Sequence, residues 1–333
     1  MPHRRVLTNG QVKAHGTRML RGGPLFAART RRSSMRSGDV RGVATYDGPM
    51  RIALVTAREL PRPDGDLAVL AQAAAGRGWL CTARPWDDPS EEWAGFDAVL
   101  VRSTWDYLGK LAEFRRWISD VGSTALLLNP PGTLHWNLHK GYLLELQAHG
   151  VPVVPSVLLG PGERPDWHQA FERHGELVLK PAVSAGSFGT IRVATGDHAR
   201  ANAHRAEHVH RDMLLQPFLP SVVERGETNL VMIDGAFSHA VRKGARWSGD
   251  AEQSRGLVEP TAEELDVARR VLDVTKGLGH GIPAYARVDL ALGRCGRPML
   301  MELELVEPSL FLDRAPWGAE RLLDAVAARA TST

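Results

Sequence analysis

The 333-residue chain has few cysteines and no long apolar run. Only Cys81 and Cys295 are present, far apart and without metal-ligand spacing, which excludes a disulfide framework and favours reduced cytosolic thiols. No apolar run approaches the roughly 20 residues that a membrane-spanning helix needs. Residues 1–49 also lack the continuous apolar segment of a secretion signal. We therefore expect a cytoplasmic globular protein without a membrane partner.

Two common nucleotide-binding motifs are also missing. No GxGxxG follows the first predicted strand, MRIALVT at 50–56, so a dinucleotide-binding fold is unsupported. The glycine-rich stretch SAGSFGT at 184–190 does not match GxxxxGK[ST], which excludes a P-loop.

The basic net charge of +3 belongs to one end of the chain. Residues 1–49 contain ten Lys and Arg and two Asp, a net charge of +8, whereas residues 50–333 contain 31 basic and 36 acidic residues, a net charge of −5. The first segment is rich in Arg, Gly and Ser, which predicts disorder. It could bind nucleic acid or resemble a transit peptide, but a clean strand opens at Met50, and an over-extended start is the simpler interpretation. The acidic body argues against a nucleic-acid partner.

Residues 50–129 alternate strand and helix patterns. Strands are predicted at 50–56, 79–83, 97–103 and 124–129, with helices at 66–76 and 110–121. This order favours a parallel sheet with right-handed crossovers, and ligands of such sheets bind at the carboxyl ends of the strands. Arg102, Ser103, Thr104 and Asp106 follow the third strand and are candidate substrate contacts, although Asp106 could equally cap a helix.

The rest of the chain mixes helices with antiparallel patterns. Helices are predicted at 135–150, 165–174, 197–211, 261–278 and 316–330, and strands at 151–159, 176–182 and 213–219. Residues 229–243 predict a β-hairpin that turns at Asp234-Gly235.

A second hairpin, ARVDLALGRCGRPMLMELEL at 286–305, concentrates carboxylates on one face. If it turns around 294–297, Asp289 lies opposite Glu302 and Arg287 opposite Glu304. Directly opposed residues have Cβ atoms roughly 4.5–5.5 Å apart, where like charges repel. Mg²⁺ prefers carboxylate oxygens and substrate phosphates, so the pattern suits a metal site. A solvated strand face balanced by Arg287 is the alternative.

Several features upstream could contact phosphates, and each has an ordinary alternative. Lys180 ends a strand and could simply extend to water. The loop 184–190 offers backbone N–H groups and hydroxyls to an anion, or is a plain hairpin loop. Lys140 at a helix start and the pair Arg242 and Lys243 could be solvated surface cations. The stretch QPFL at 216–219 could be a strand end, or a linker that offers backbone groups to a purine. Glu224 and Glu227 could be ordinary surface residues.

The order of these features resembles the ATP-grasp superfamily over roughly residues 50–330, above all in KPAVSAGSFGT, ARVDLAL and MELELVEPSLF. The resemblance implies an α/β and α+β fold, with an N-terminal doubly wound domain and two α+β subdomains that clasp ATP. We place the N-terminal domain at 50–135, the small subdomain at 136–219 and the large subdomain at 220–333.

The resemblance also implies roles for matching residues. Lys140 and Lys180 would contact ATP phosphates, and a loop would close over them with Ser184, Gly186, Ser187, Gly189 and Thr190. Adenine would be held by Gln216, Phe218 and Leu219, and the ribose by Glu224. Glu227 would be a further nucleotide-binding residue. Lys180, Lys243 and Arg287 would stabilise charge on the transferred phosphoryl group. Asp289, Glu302 and Glu304 would bind two Mg²⁺ ions, although many family members have Asn where Glu304 stands.

Within the superfamily, VTAREL, RSTWDY, WNLHK, FSHAVRK and ELELVEPSLFL are most similar to a glutathione-synthetase-like branch that includes the cyclo-ligase of D-cycloserine biosynthesis. This implies an ATP-dependent carbon–nitrogen ligase that activates a carboxylate as an acyl phosphate. Its substrate would be O-ureido-D-serine, cyclised to D-cycloserine with loss of CO₂ and NH₃, and contacted by Arg102, Ser103, Thr104, Asp106 and Ser309. Intermolecular ligases of the glutathione-synthetase or D-Ala-D-Ala ligase type and a small-molecule kinase are alternatives. A homodimer is compatible with this interpretation.

Overall fold

The computed structural model describes residues 49–60, 62–245 and 254–332. The predicted basic segment 1–49 therefore lies, apart from Pro49, outside the described residues. No helix in these ranges has both the length and the apolar character that crossing a membrane requires.

The first sheet is parallel, with strand order β2-β1-β3-β4. Its strands are β1 (Arg51–Thr56), β2 (Leu80–Pro85), β3 (Ala98–Ser103) and β4 (Leu127–Leu128). Helix α1 (Gly65–Gly76) begins after Asp64, whose side chain accepts from the N–H of Asp66, and α2 (Leu111–Thr124) follows β3. Because side chains alternate along a strand, Ile52 and Leu54 pack in the cluster that includes α1, whereas Ala53 and Val55 pack in the cluster that includes α2. The predicted parallel sheet with helices on both faces is confirmed.

Two antiparallel sheets make up the rest. The smaller one has the order β5-β8-β6-β7 and comprises β5 (Val157–Leu159), β6 (Leu177–Pro181), β7 (Ile191–Val193) and β8 (Met213–Pro217), packed with α5 (Trp167–His174) and α6 (His198–Glu207). The larger one has the order β11-β10-β9-β12-β13 and comprises β9 (Glu227–Ile233), β10 (Ala236–Lys243), β11 (Ser254–Leu257), β12 (Tyr285–Leu292) and β13 (Pro298–Glu304).

Helices cover both faces of the larger sheet. On one face lie α4 (Tyr142–Ala148) and α8 (Ala262–Thr275); α8 opens with a capping box between Thr261 and Glu264. On the other face α9 (Trp317–Thr331) shares one apolar cluster with Val231, Tyr285, the first sheet and α1. The last helix therefore joins the parallel sheet to the larger antiparallel sheet. The domain boundaries given above stay a prediction.

Both predicted hairpins are confirmed in detail. Asp234 and Gly235 have φ values of 50° and 75°, the left-handed conformation that a tight two-residue turn requires. In the second hairpin Asp289 pairs with Glu302 and Arg287 with Glu304, and a bulge follows Asp289.

Several elements differ from the predictions. The strand expected at 151–159 is reduced to β5 (Val157–Leu159). The helix expected at 135–150 is two helices, α3 (Pro131–Asn137) and α4, because Lys140 sits in a turn whose backbone N–H donates to the carbonyl of Ala182. The strand expected at 124–129 is reduced to β4 because α2 continues to Thr124. Strand β11 and the short helix α7 (Ser221–Glu224) were not predicted.

Candidate active site

A cavity of about 340 Å³ collects most of the predicted site residues on its walls. Its lining comes from the two antiparallel sheets and from connecting segments, including those that follow strands of the parallel sheet. The predicted residues that line it are Lys140, Lys180, Ser184, Gly186, Ser187, Thr190, Gln216, Phe218, Leu219, Glu227, Lys243, Arg287, Asp289, Glu302, Glu304 and Ser309.

The acidic wall of the cavity is built by β12 and β13. Arg287 donates to both carboxylate oxygens of Asp289, at 2.8 and 2.9 Å, and also to Glu304. Lys243, from β10, lies 3.7 Å from Asp289 and 3.3 Å from Glu227. The predicted face, with Asp289 from one strand of the hairpin and Glu302 and Glu304 from the other, is therefore accompanied by cations from the chain itself.

Glu302 has a separate cation. The Nζ of Lys140 lies 2.9 Å from a Glu302 carboxylate oxygen and donates to the carbonyl of Ser184 at 2.7 Å. Lys140 thereby links the turn between α3 and α4, the base of the glycine-rich loop and the acidic wall. The side chains of Glu302 and Glu304 are each 28% exposed and that of Asp289 is 3% exposed, so the acids face the cavity and are not splayed into solvent.

The acids differ in their protonation. Burial opposes ionisation of Asp289, but Arg287 and Lys243 outweigh it and lower its pKa. Burial likewise opposes ionisation of Glu302, and the nearby Lys140 and Lys180 lower its pKa. Burial raises the pKa of Glu304 to about 8 although Arg287 opposes the shift. The wall therefore holds two ionised carboxylates beside one that retains a proton near neutral pH.

Buried amides fix the end of β13. The side chain of Asn137 donates to the carbonyl of Leu303 at 2.9 Å and accepts from the N–H of Leu305 at 2.7 Å. The hydroxyl of Tyr142 accepts from the N–H of Leu303 at 3.0 Å. Because β13 is the edge strand of its sheet, these bonds satisfy backbone groups that have no neighbouring strand on that side. They also fix the backbone that carries the Glu302 and Glu304 side chains.

The glycine-rich loop, residues 184–190, has three residues in the left-handed conformation. They are Gly186, Ser187 and Gly189, with φ values of 59°, 63° and 65°. Gly189 does not line the cavity, but a Cβ added there would lie 2.8 Å from the Cγ of Pro181, closer than atoms pack. Glycine is needed at this position because the loop folds back closely onto the end of β6.

One end of the cavity is apolar. Its walls are Val154, Val178, Phe218, Leu219, Val222 and Met301. Gln216 lies here too, and its amide donates to the hydroxyl of Ser156 at 2.7 Å. A slot with apolar walls and a few polar groups suits a flat heterocyclic base.

The opposite end is polar and contains residues that the sequence reasoning did not assign to the site. Arg62 lies over the Trp105 ring, 4.3 Å from its centroid, and donates to the hydroxyl of Ser309 at 3.3 Å. Glu307 lines the same end together with Tyr107, and burial raises the pKa of Glu307 to about 7 although a hydrogen bond with Tyr107 opposes the shift. Glu307 could have been assigned to the site from the sequence, because it follows Glu304 by only three residues on the same segment.

Besides Gly189, five predicted residues lie off the cavity wall. Arg102, Ser103 and Thr104 are buried and lie off the cavity wall. Arg102 pairs with Asp66 of α1 at 3.1 Å, and Ser103 donates to Thr56 at 3.1 Å. Asp106 accepts from the indole of Trp86 and from Lys110. Glu224 is exposed at the end of α7, whereas Glu227 lines the cavity.

Known proteins share this sequence and this fold. Residues 52–129 match the family described as the N-terminal domain of D-cycloserine synthetase DcsG. Over 301 residues the chain is 34% identical to cycloserine biosynthesis protein DcsG of Streptomyces lavendulae, an alignment that covers 84% of this chain and 98% of that protein. The crystal structure of D-cycloserine synthetase DcsG superposes with a TM-score of 0.76 at 33% identity, covering 84% of this chain and 99% of that one.

More distant structures share the fold alone. D-alanine–D-alanine ligase from Bacillus anthracis complexed with ATP has a TM-score of 0.60 at 15% identity and covers 85% of this chain and 98% of its own. The ATP-grasp ligase PsnB complexed with minimal precursor, Mg and ADP has a TM-score of 0.57 at 18% identity and covers 83% and 97%. Fold and site together define an ATP-dependent ligase of the ATP-grasp class. Within that class, the chain belongs to the family of D-cycloserine synthetase DcsG.

Proposed function

We propose that this protein closes the ring of D-cycloserine from O-ureido-D-serine. The γ-phosphoryl group of ATP passes to the substrate carboxylate, and the aminooxy nitrogen of the same molecule attacks the resulting acyl phosphate and expels inorganic phosphate. Hydrolysis of the carbamoyl group that remains on the ring nitrogen then releases its carbonyl carbon as CO₂ and its amide nitrogen as NH₃. The proposal is supported by the 34% identity to DcsG along almost its whole length, and one structural observation carries it. Along β13 and the segment that follows it, Met301 of the apolar slot is followed by Glu302 and Glu304 of the acidic wall and then by Glu307 and Ser309 of the polar end.

The apolar slot is the place we propose for adenine. Lys140, Lys180 and Lys243 then lie along the middle of the cavity, where they would contact the phosphates. Burial lowers the pKa of Lys180 and nearby Glu302 opposes the shift, so this lysine gains from an anionic ligand. Phosphoryl transfer depends on positioning and charge neutralisation more than on covalent catalysis, and these three cations supply both.

The acidic wall suits Mg²⁺. Asp289, Glu302 and Glu304 present only oxygen donors, the ligand type that Mg²⁺ requires. Bound there with the nucleotide, Mg²⁺ would act as a Lewis acid on the phosphate oxygens. Lys140 and Arg287 lie directly against these carboxylates, so the cations and the proposed metal ligands occupy one site.

The polar end is the place we propose for the amino-acid part of the substrate. Arg62, held over Trp105, would bind the carboxylate or its phosphorylated form. Glu307 faces the same space and is half in its proton-accepting form near pH 7, since its pKa is about 7. We assign it the proton that the aminooxy nitrogen loses as the ring closes.

The proposal is tested by incubating the protein with ATP, Mg²⁺ and single amino acids while ADP and cycloserine are measured. O-ureido-D-serine should give one ADP per cycloserine, and D-serine should give no cycloserine. Added hydroxylamine should trap the substrate as a hydroxamate, because an acyl phosphate forms. ADP release without hydroxamate or cycloserine would indicate a kinase, and product formation only with a second amino acid would indicate an intermolecular ligase. Either result would overturn the proposal.

A further inference from the structure

A second group of possible ligands lies on α6, outside the cavity. Its members are His204 and Glu207 in the last turn of the helix and His208 at its C-terminal cap, with the spacing i, i+3 and i+4. Residues at this spacing share one face of a helix. One nitrogen or oxygen atom from each lies within 4.8 Å of the corresponding atoms of the other two.

The ring of His204 is fixed in a state that suits metal binding. Its Nε2 lies 2.8 Å from the carbonyl oxygen of Gly189. A carbonyl only accepts, so Nε2 carries the proton and the neutral ring has its lone pair on Nδ1. That Nδ1 lies 4.0 Å from a carboxylate oxygen of Glu207. Metal-binding histidines commonly donate their other N–H to a backbone carbonyl in this way.

His208 provides an independent observation. It is only 8% exposed, and among the described residues no hydrogen-bond partner is found for either of its ring nitrogens. Its ring lies 4.6 Å from that of His204, centroid to centroid. Its ring nitrogens are not among the buried polar atoms that lack a partner, so solvent or a ligand can reach them beside His204. The Glu207 side chain is 72% exposed and leaves a path from solvent.

We propose that His204, Glu207 and His208 bind one divalent transition-metal ion of the Zn²⁺ type. Two imidazoles and a carboxylate suit Zn²⁺, Cu²⁺ or Ni²⁺, with water as a further ligand, whereas Mg²⁺ prefers oxygen donors alone. The site is therefore chemically distinct from the acidic wall, and it does not depend on the ligase activity.

The same ion would also restrain the C-terminal end of the glycine-rich loop, at Gly189. A metal on Nδ1 withdraws electron density from the imidazole and strengthens the bond from Nε2–H to the Gly189 carbonyl. Gly189 ends the left-handed part of the loop, and its Cβ position lies 3.3 Å from Nε2 of His208. Metal binding should therefore restrain residues 186–190 even when no nucleotide is bound.

Binding is measured by equilibrium dialysis of the full chain against Zn²⁺, with excess Mg²⁺ to occupy the carboxylates and without ATP or amino acid. The wild type should retain one Zn²⁺ per chain. His208→Gln should weaken binding at least about 10-fold, and Glu207→Gln, an exposed change that leaves the fold undisturbed, should weaken it several-fold. Glu172→Gln is the matched control, since Glu172 also lies one helical turn from a histidine, His168, at 3.3 Å, but without a second imidazole.

Amide hydrogen exchange tests the link to the loop. Zn²⁺ should slow exchange at residues 186–190 in the wild type and in Glu172→Gln, and should have no effect in His208→Gln. Failure of the wild type to retain Zn²⁺ under excess Mg²⁺, or unchanged binding in both His208→Gln and Glu207→Gln, would overturn the site. Binding without any change in exchange would overturn its effect on the loop. Neither result bears on cycloserine formation.

Discussion

At the scale of single residues, the acidic wall is stable because the burial of each carboxylate is compensated, either by a neighbouring cation or by a retained proton. Asp289 accepts two hydrogen bonds from Arg287, and Glu302 is paired with Lys140. Glu304, whose pKa is raised to about 8, keeps a proton near neutral pH. The sequence was sufficient to predict that these acids oppose one another, because strand alternation and one turn position determine their pairing. It could not show which cation meets which acid, because Lys140 and Lys243 are far from the hairpin in sequence.

Replacing Glu302 with Gln should lower ATP turnover by at least about 100-fold, the size of effect seen for groups that hold a metal or its charge. Lys140 keeps a hydrogen-bond acceptor in the amide and in the Ser184 carbonyl, so the melting temperature should change little. ADP release and thermal unfolding measure the two effects. Glu224→Gln, an exposed change off the cavity wall, should retain full turnover. Retained activity in Glu302→Gln would remove this residue from the site.

Glu307 should produce a pH dependence of its own. Its pKa is raised to about 7, so below that pH it is protonated and cannot accept a proton from the attacking nitrogen. Turnover at saturating ATP should therefore rise between about pH 6 and 8 and then level off. Glu307→Gln should be slow and should lack this rise. A wild-type profile that persists unchanged in the variant would mean that another group titrates.

At the scale of elements, the sequence predicted the helices and strands that depend on local patterns and missed the features that depend on long-range contacts. The hairpin at Asp234-Gly235, the parallel strands and the helices α5, α8 and α9 follow from local periodicity and turn chemistry. The break between α3 and α4 does not, because it depends on contacts of the Lys140 turn with Ala182 and Ser184, which follow β6 and are distant in sequence. The glycine-rich loop could be located from sequence, whereas its folding onto Pro181 could not.

Asn137 in α3 should act through the end of β13. Asn137→Ala removes two hydrogen bonds to the backbone of Leu303 and Leu305, which should lower the free energy of unfolding by about 2 kcal/mol. Turnover should fall about 10-fold because Glu302 and Glu304 lose their fixed direction. Urea unfolding and ADP release measure both.

Asn202→Ala provides the comparison for this change. Asn202 accepts one hydrogen bond from the indole of Trp167, so Asn202→Ala should also lower the free energy of unfolding. At an assay temperature where both variants stay folded, its turnover should equal that of the wild type. Equal loss of turnover in both variants would show that Asn137 matters only for stability.

At the scale of the whole molecule, buried polar residues join the parallel sheet to the larger antiparallel sheet. Asn129 donates to the carbonyls of Tyr285 and Leu305 and accepts from the N–H of Ala284. Asp66 accepts from Arg102 and from the N–H groups of Leu310 and Leu312. Polar residues at a strand end were read from the sequence as substrate contacts, but Arg102 serves this junction. Sequence alone could not separate the two uses, because both place a charged side chain at the carboxyl edge of a sheet.

Asp66→Asn should therefore destabilise the whole protein and leave Arg102 as an unpaired buried charge. Loss of one partner of such a pair costs about 3–5 kcal/mol, and the melting temperature should fall accordingly. Asp64→Asn, which alters only the cap of α1, should cost about 1 kcal/mol or less. A small effect of Asp66→Asn would show that the junction does not depend on this carboxylate.

The central claim, that a substrate carboxylate takes the γ-phosphoryl group of ATP on the acidic wall, is tested most directly by isotope transfer. O-ureido-D-serine labelled with ¹⁸O in its carboxylate is turned over in unlabelled water, and the released phosphate is analysed by mass spectrometry. Our account predicts one ¹⁸O atom in each phosphate, because the carboxylate oxygen leaves with the phosphoryl group when the ring closes. Unlabelled phosphate accompanied by ADP and cycloserine would contradict it.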